Sequence, residues 1–232
     1  MFLLCPRIAA DSSPEAARPR LTGRTCPVIV VVRVLGSALY SKSYNGGEGE
    51  DVRTLEEDLE AAQAFHGHLC HGMVMGVRMA RYGCRELGID EPRAYRDLVV
   101  YVEMDRCASD AVSVVAGVTL GRRRLKWMDY GKMAATFVDL GTDRAVRVVP
   151  RPEVPHAGRD TNPLELWRDW TDEQLFTCTP VKLVVPAEDR PGRPVRTVMC
   201  ARCGEKVQDA REVINGGETV CRSCAGDSYY EL

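Results

Sequence analysis

The sequence predicts an α+β fold, with a mixed or antiparallel sheet packed against helices and a small four-cysteine zinc finger at the C-terminus. Helix signals come first along the chain, and strand patterns dominate from Leu125 onward. This order favours an α+β fold over a parallel doubly wound sheet, in which helices and strands alternate. The spacing of the last four cysteines predicts the zinc finger.

Capping signals define the predicted helices. Thr54-Leu-Glu-Glu57 is a capping box that begins a first helix, which should end at Gly67. A second helix should run from near Cys70 to Gly88, and a third should open at Cys107. The other helical predictions are a short helix over residues 162–170 and a further turn after a second capping box, Thr171-Asp-Glu-Gln174.

Apolar and alternating patterns predict strands at residues 98–102, 125–128, 134–138, 145–149 and 181–185. The domain organisation follows from these elements. Residues 1–53 read as a poorly ordered extension and residues 54–186 as the α+β core. Residues 187–196, with several prolines, read as a linker, and residues 197–232 as the zinc finger.

Composition narrows the class of protein. The 232 residues carry 31 Lys and Arg against 33 Asp and Glu, which argues against a nucleic-acid-wrapping protein. Apart from the last four, the ten cysteines show no disulfide framework, so we expect a reducing, cytoplasmic setting. No apolar run approaches the roughly 18 residues that span a bilayer. The short run Val28–Val32 is a poor match to a signal peptide because no clear basic segment precedes it.

The C-terminal cysteines follow the spacing C-x2-C-x17-C-x2-C, in the order Cys200, Cys203, Cys221 and Cys224. Each Cys-x-x-Cys pair can sit on a tight turn with both sulfurs facing one point, and two such turns close a tetrahedron around zinc. Two disulfides or four free thiols are the disfavoured alternative. We expect a structural zinc ion with no open position for a substrate.

A second group of metal-binding side chains lies in Phe65-His66-Gly67-His68-Leu69-Cys70-His71-Gly72. Imidazole and thiolate suit late transition metals. Cys107 also opens a predicted helix, with Asp110 three residues later. The pattern is compatible with a Cys2His or Cys2His2 site, and equally with histidines that cap helix ends and cysteines that fill the core. Spacing alone leaves both interpretations open.

A glycine-flanked basic loop, Gly117-Val-Thr-Leu-Gly-Arg-Arg-Arg124, follows the third predicted helix. It could hold an anion through its forked donors, but it lacks a Walker or Rossmann fingerprint. We favour a solvated charged face.

Four blocks in this order resemble the E-subunit family of formylmethanofuran dehydrogenase: Phe65-His-Gly-His-x-Cys-x-Gly72, Glu103-x-Asp-x-Cys107-x-x-Asp-Ala111, Gly117-x-Thr-x-Gly121 and Asp129-Tyr-Gly-Lys132. The resemblance spans about residues 55–186, and the terminal cysteines resemble the treble-clef finger of many members. It implies an α+β core, often dimeric, and a polar cleft. The cleft would hold His66, His68, Cys70, Cys107 and Asp110, with Lys132 nearby. His71 stands where the family often has proline.

The resemblance leads to three functional hypotheses. The first is a metal-binding accessory protein of molybdenum- or tungsten-type one-carbon redox metabolism, with a redox-enzyme subunit or cofactor-assembly factor as partner. The second is a stand-alone metalloenzyme in which His68, Cys70 and Cys107 hold a second metal ion in the core cleft. Its candidate catalytic groups are Asp110, His66 and Lys132. The third is an interaction or regulatory protein that works through its finger, although the finger's mixed charges do not suit nucleic acid. A homodimer is also expected.

Overall fold

The computed structural model describes residues 52–155, 158 and 161–231. The helices are α1 (Leu55–His66), α2 (His71–Leu87), α3 (Cys107–Ala116) and the single turn α4 (Asp172–Leu175). Short 3-10 turns occupy Ala187–Asp189 and Ser223–Ala225. The predicted extension at residues 1–53 lies outside the described residues except for Val52 and Arg53. The predicted division into core, linker and finger stays a prediction.

The central sheet is mixed, as predicted. Its strands are β1 (Leu98–Val102), β2 (Leu125–Trp127), β3 (Ala135–Asp139), β4 (Arg144–Pro150) and β5 (Phe176–Pro180), in the order β2-β1-β3-β4-β5. Strands β1 and β2 are parallel, and the other neighbours are antiparallel. Two hairpins form the C-terminal module: β6 (Thr197–Met199) with β7 (Lys206–Gln208), and β8 (Val213–Asn215) with β9 (Glu218–Val220). The α+β fold class is confirmed.

Close contact between α2 and α3 positions the starts of both helices. A Cβ atom added at Gly76 would lie 2.7 Å from the Cα of Ala108 and 2.7 Å from the Cβ of Ala111. Only glycine permits this approach, because any side chain there would strike backbone. Gly76 is on the second turn of α2, so the contact brings the beginning of α2 beside the beginning of α3. Cys70 and Cys107 therefore become neighbours.

The turn segment before α4 differs from the prediction of a helix over residues 162–170. It forms successive turns, and the guanidinium of Arg78 on α2 donates hydrogen bonds to the carbonyl oxygens of Trp167 (3.0 Å) and Trp170 (2.6 Å). Trp167 in this segment is buried in the core. The carbonyl oxygen of Trp167 also accepts from the N–H of Trp170 at 3.1 Å, so Arg78 and a turn hydrogen bond together hold this segment.

The predicted strand at residues 181–185 is also wrong. The strand that pairs with β4 is β5, which ends at Pro180, and the chain that follows has no regular structure. Its apolar residues nevertheless pack on the sheet, because Val185 is buried with Val99 and Val138. Val181 alone continues the pairing, because its N–H donates to the carbonyl oxygen of Ala145 on β4 at 2.9 Å. For the rest of the run, the apolar pattern indicated burial and not a strand.

The basic loop before β2 attaches the core to the C-terminal module, and the prediction of a solvated face is wrong for two of its arginines. Arg124 is 3% exposed and donates to the carbonyl oxygens of Tyr95 and Gly117. Arg123 pairs with the buried carboxylate of Asp209 and donates to the carbonyl oxygens of Glu188 and Arg190. These contacts tie β2 to residues on both sides of β6.

Within the described part of the chain, no helix is both long and apolar enough to cross a membrane.

We expect Arg123→Ala to loosen the C-terminal module from the core. The change removes the ion pair with Asp209 and should cost roughly 1.5–3 kcal/mol of unfolding free energy, the range for hydrogen bonds to charged groups. Limited proteolysis should show faster cleavage within residues 187–196, and the melting temperature should fall. Arg122→Ala is the matched control, because Arg122 is exposed and lies beside Arg123. Equal cleavage rates for the two variants would contradict the attachment.

Candidate metal centres

Four cysteine sulfurs converge in the C-terminal module. The Sγ atoms of Cys200, Cys203, Cys221 and Cys224 all lie within 4.8 Å of one another. The first pair sits on the turn between β6 and β7, and the second pair follows β9. Two knuckles on two hairpins thus present four sulfurs to one point, as the spacing predicted.

Backbone N–H groups donate hydrogen bonds to the sulfurs of this cluster. Such bonds favour thiolate, which is the form that binds a metal ion. The amide of Cys221 donates to the sulfur of Cys200 at 3.3 Å, and the amide of Cys224 donates to the sulfur of Cys221 at 3.4 Å. Amides of Cys203 and Cys221 lower the pKa of Cys200 to about 6. Hydrogen bonds with the sulfurs of Cys221 and Cys203 raise the pKa of Cys224 to about 12. Four adjacent sulfurs cannot all ionise unaided, and a bound dication would offset part of their negative charge and favour the thiolate form.

A second cluster lies where three helix ends meet in the core. His66 is the last residue of α1, which ends at Gly67 in a left-handed conformation (φ 92°). Cys70 is the N-cap of α2, and Cys107 is the first residue of α3. One ligand atom from each of His66, Cys70 and Cys107 lies within 4.8 Å of the other two. We refer to these three residues as the core cluster.

Gly72 leaves room for the two sulfurs of the core cluster. A Cβ atom at this position would lie 3.2 Å from the Cβ of Cys107 and 3.7 Å from the Sγ of Cys70. The first distance is tighter than an ordinary contact and the second is not, so a side chain at this position would press on Cys107. The glycine in this first turn of α2 lets the starts of α2 and α3 sit side by side.

The imidazole of His66 is held by a carboxylate. Its Nδ1 lies 2.8 Å from Oδ2 of Asp110, one turn into α3. Its Nε2 is buried and has no hydrogen-bond partner among the residues that the structure describes. A proton on Nδ1 that is donated to Asp110 leaves a lone pair on Nε2, which is the arrangement of metal-ligating histidines. The orphaned nitrogen and the two sulfurs thus fit a metal ion.

The two thiols of the core cluster also interact with each other. Burial, followed by a hydrogen bond to the sulfur of Cys70, raises the pKa of Cys107. Cys107 is therefore protonated near neutral pH in the absence of a cation. A metal ion bound here would displace that proton, because thiolate is the ligating form.

The other predicted site residues lie around this cluster. His68 is exposed, and its ring centroid lies 4.7 Å from that of His66. The structure therefore groups His66 with the two cysteines, and a ligand role for His68 stays a prediction. The exposed ammonium of Lys132 lies 5.9 Å from the ring centroid of Tyr130, and its catalytic role likewise stays a prediction. His71 packs edge-on against Trp167.

Two features of the site were missed by sequence reasoning. Glu103 accepts two 2.7 Å hydrogen bonds from Arg147 on β4, which lower the pKa of Glu103 and fix the end of β1 before Cys107. The pairing of Asp110 with His66 joins residues 44 positions apart. The family resemblance placed His66 and Asp110 in one cleft and included Glu103 in a family block, but it did not indicate these two hydrogen-bonded pairs.

Two family models match the chain. Residues 65–175 match the family described as "FmdE, Molybdenum formylmethanofuran dehydrogenase operon". Residues 193–230 match the "Prokaryotic dksA/traR C4-type zinc finger". The first match contains the core cluster, and the second contains the four-cysteine cluster. The resemblance to the E-subunit family and the zinc finger are thus both confirmed.

Two known proteins are similar to the chain. A "Probable S-adenosyl-L-methionine-binding protein" of Archaeoglobus fulgidus is 30% identical over 201 residues, which are 74% of this chain and 53% of that protein. The chain thus spans about half the length of this relative. The crystal structure of a tungsten formylmethanofuran dehydrogenase FmdE-like protein from Syntrophus aciditrophicus is 22% identical, with a TM-score of 0.52. The match covers 77% of this chain and 96% of that one, and it shows a shared fold.

Cys203→Ser should remove one zinc ion per chain and unfold the C-terminal module. The folding of such a module depends on its ligands, because the free energy of metal binding is also folding free energy. Zinc counting by elemental analysis and the near-ultraviolet signal of Tyr229 and Tyr230 would check this result. Cys178→Ser, in β5 and outside both clusters, is the control and should keep the full zinc content. Unchanged zinc in Cys203→Ser would rule out the four-sulfur site.

Proposed function

We propose that this chain, which carries an FmdE domain and a C4-type zinc finger, is a metal-binding accessory protein of a molybdenum- or tungsten-dependent oxidoreductase in one-carbon metabolism. The link to molybdenum and one-carbon chemistry rests on the family. The metal-binding role rests on one observation, the convergence of His66, Cys70 and Cys107 within 4.8 Å.

The donor set of the core cluster suits a late first-row metal. Two thiolates and one imidazole are ligands that zinc accepts, and three protein ligands leave a fourth position open. Asp110 would orient His66 and raise its basicity, as outer carboxylates do around metal-bound histidines. An open position allows a metal to be exchanged with a partner or to hold a cofactor's ligand atom. The four-cysteine cluster has no such position, which supports a division between a structural and a functional metal.

The C-terminal module is proposed as the docking element for the partner. It exposes apolar side chains that a partner surface would bury: Met199, Ile214, Tyr229 and Tyr230. A redox-enzyme subunit, a cofactor-assembly factor or a second copy of the chain would cover them. A treble-clef arrangement and a homodimer are part of this proposal.

A stand-alone metalloenzyme is the second candidate function. The side chain of Asp110 is 43% exposed beside a three-ligand cluster. Such a carboxylate can take a proton from a metal-bound water while it holds His66. Under this alternative, His66, Cys70 and Cys107 hold the metal, and Asp110 acts as general base.

The core metal itself can be tested by counting ions. The purified chain should hold two metal ions, and Cys107→Ser should hold only the ion of the finger. Asp110→Asn should weaken binding at the core cluster by about 10–100-fold, the usual effect of losing an outer partner of a ligand. Asp105→Asn is the matched control, since Asp105 is 69% exposed on the loop before α3. If Cys107→Ser kept both ions, the core site would be excluded.

The accessory role can be separated from the enzymatic one in a host that carries the gene. Replacing the gene with its Cys107→Ser version should lower the activity of molybdenum- or tungsten-dependent one-carbon oxidoreductases, and the wild-type gene should restore it. Cys178→Ser should behave as wild type. Unchanged oxidoreductase activity, together with metal-dependent turnover by the purified chain alone, would favour the stand-alone enzyme.

A further inference from the structure

The two sulfurs of the core cluster are close enough to react with each other. The Sγ atoms of Cys70 and Cys107 lie within 4.8 Å, and both residues are free thiols in this structure. The turn that begins at Cys70 also packs on the backbone of α3, because a Cβ atom at Gly72 would lie 3.8 Å from the backbone nitrogen of Ala108. A disulfide brings two sulfurs to about 2.0 Å. Rotation about the Cα–Cβ bonds of the two cysteines is the movement that would close this gap.

Packing of α2 on α3 holds the pair together in the reduced protein. A Cβ atom at Gly76 would lie 2.7 Å from the Cα of Ala108, the residue that follows Cys107. The two helices therefore meet next to the cysteines before any bond joins them. The chain between the two sulfurs is already closed into a loop by the fold, so a disulfide formed here would lose little further chain entropy.

The other two described cysteines of the core are poor competitors for this reaction. Cys84 and Cys178 belong to neither cluster. Burial raises the pKa of Cys84 to about 12 and the pKa of Cys178 to about 11. Both therefore stay protonated near neutral pH, and a protonated thiol is not a nucleophile.

The pair can be reached from solvent. Cys70 and Cys107 are each half-buried. The side chain of Asp110, which holds the imidazole of His66, is 43% exposed, and the neighbouring His68 is exposed as well. The core cluster thus borders solvent, where a small oxidant can approach the sulfurs.

We propose that Cys70 and Cys107 are a redox pair that a low-molecular-weight disulfide oxidises reversibly, and that their disulfide and a metal ion in the core cluster exclude each other. The disulfide itself needs no metal, whereas the exclusion rests on the proposed metal-binding function. Oxidation removes both thiolates and leaves His66 as the one remaining ligand of three, which is too few to hold the ion. Only the reduced chain would bind the core metal.

The reaction is a sequence of two thiol–disulfide exchanges. One protein thiolate attacks a sulfur of the small disulfide, whose S–S bond breaks, so that a mixed disulfide forms and a first small thiolate leaves. The second protein thiolate attacks the protein sulfur of the mixed disulfide, which forms the bond between Cys70 and Cys107 and releases a second small thiolate. The two protons of the cysteines end on the two released thiols, and the two electrons lost by the cysteines reduce the oxidant.

Peptide mapping after thiol trapping tests the pair in the full-length wild-type chain. Trypsin should place Cys70 in the peptide 54–78 and Cys107 in the peptide 107–122, each without a second cysteine. As glutathione disulfide is raised at a fixed glutathione concentration, we expect these two peptides to become linked, and excess glutathione should separate them. Cys107→Ser should stop at a mixed disulfide between Cys70 and glutathione. Cys178→Ser is the matched control and should form the linked peptides at the same oxidant concentration as wild type.

Free zinc, set by a chelator, tests the exclusion in the same titration. Zinc at about ten times its dissociation constant for the core cluster should raise the glutathione disulfide concentration at half-linkage about tenfold, because it binds only the reduced chain. Elemental analysis of the linked chain should show loss of the core ion.

The outcomes separate this inference from the proposed function. If the peptides 54–78 and 107–122 never link while the reduced chain holds two metal ions, the redox pair is overturned and the metal site stands. If they link at an oxidant concentration that zinc does not change, the exclusion is overturned. A reduced chain with only the ion of the finger would in that case count against the proposed function as well. The wild-type measurement decides each case without relying on the folding of a variant.

Discussion

The close contact between α2 and α3 at Gly76 is the constraint on which the site depends. A Cβ atom at Gly76 would meet both the Cα and the carbonyl oxygen of Ala108 at 2.7 Å. These two helices begin with the thiols of Cys70 and Cys107, so their separation sets the distance between the two sulfurs. A wider helix packing would leave two unrelated buried cysteines. The core cluster is therefore a consequence of packing several residues away from it.

The two candidate metal centres of the chain differ in how they are built. The four-cysteine cluster draws its sulfurs from two local turns; the amide of Cys224 donates within its own turn, and the amide of Cys221 donates across to the sulfur of Cys200. The core cluster draws one residue from each of three helices, and it needs Asp110 to fix the imidazole. The first can form with little help from the rest of the fold, whereas the second requires the whole core. Four cysteine ligands leave no open position on a metal ion, which suits a structural role. Three ligands leave one position open, which suits metal exchange or catalysis.

Much of this arrangement could be predicted from local sequence. The capping boxes at Thr54 and Thr171 depend on contacts within three residues. The order of helix and strand patterns predicted the α+β class, and two short Cys-x-x-Cys motifs predicted the four-cysteine cluster. The meeting of Cys70 and Cys107 was only implied by a family resemblance, because it joins distant segments. The sequence did not indicate which of His66 and His68 would lie beside the two cysteines. The choice depends on where α1 ends and on a carboxylate from α3.

The failures of prediction have a common physical cause. Apolar spacing reports burial, and burial does not specify which backbone groups pair. Residues 182–185 follow one last hydrogen bond from Val181 to β4 and pack on the sheet without a strand assignment. The segment around Trp167 is held by turn hydrogen bonds together with Arg78 and forms no regular helix. The arginines at positions 123 and 124 looked solvated because their acceptors, carbonyls and Asp209, lie far along the chain.

X-ray absorption at the zinc edge would test the core metal most directly. The protein in which all four finger cysteines are replaced by serine keeps no thiolate in the finger, so sulfur in the first shell of bound zinc reports on the core. The account predicts a first shell of two sulfurs at about 2.3 Å and nitrogen or oxygen at about 2.0–2.1 Å. A zinc-free protein that is still folded in its core, or a shell without sulfur, would contradict it.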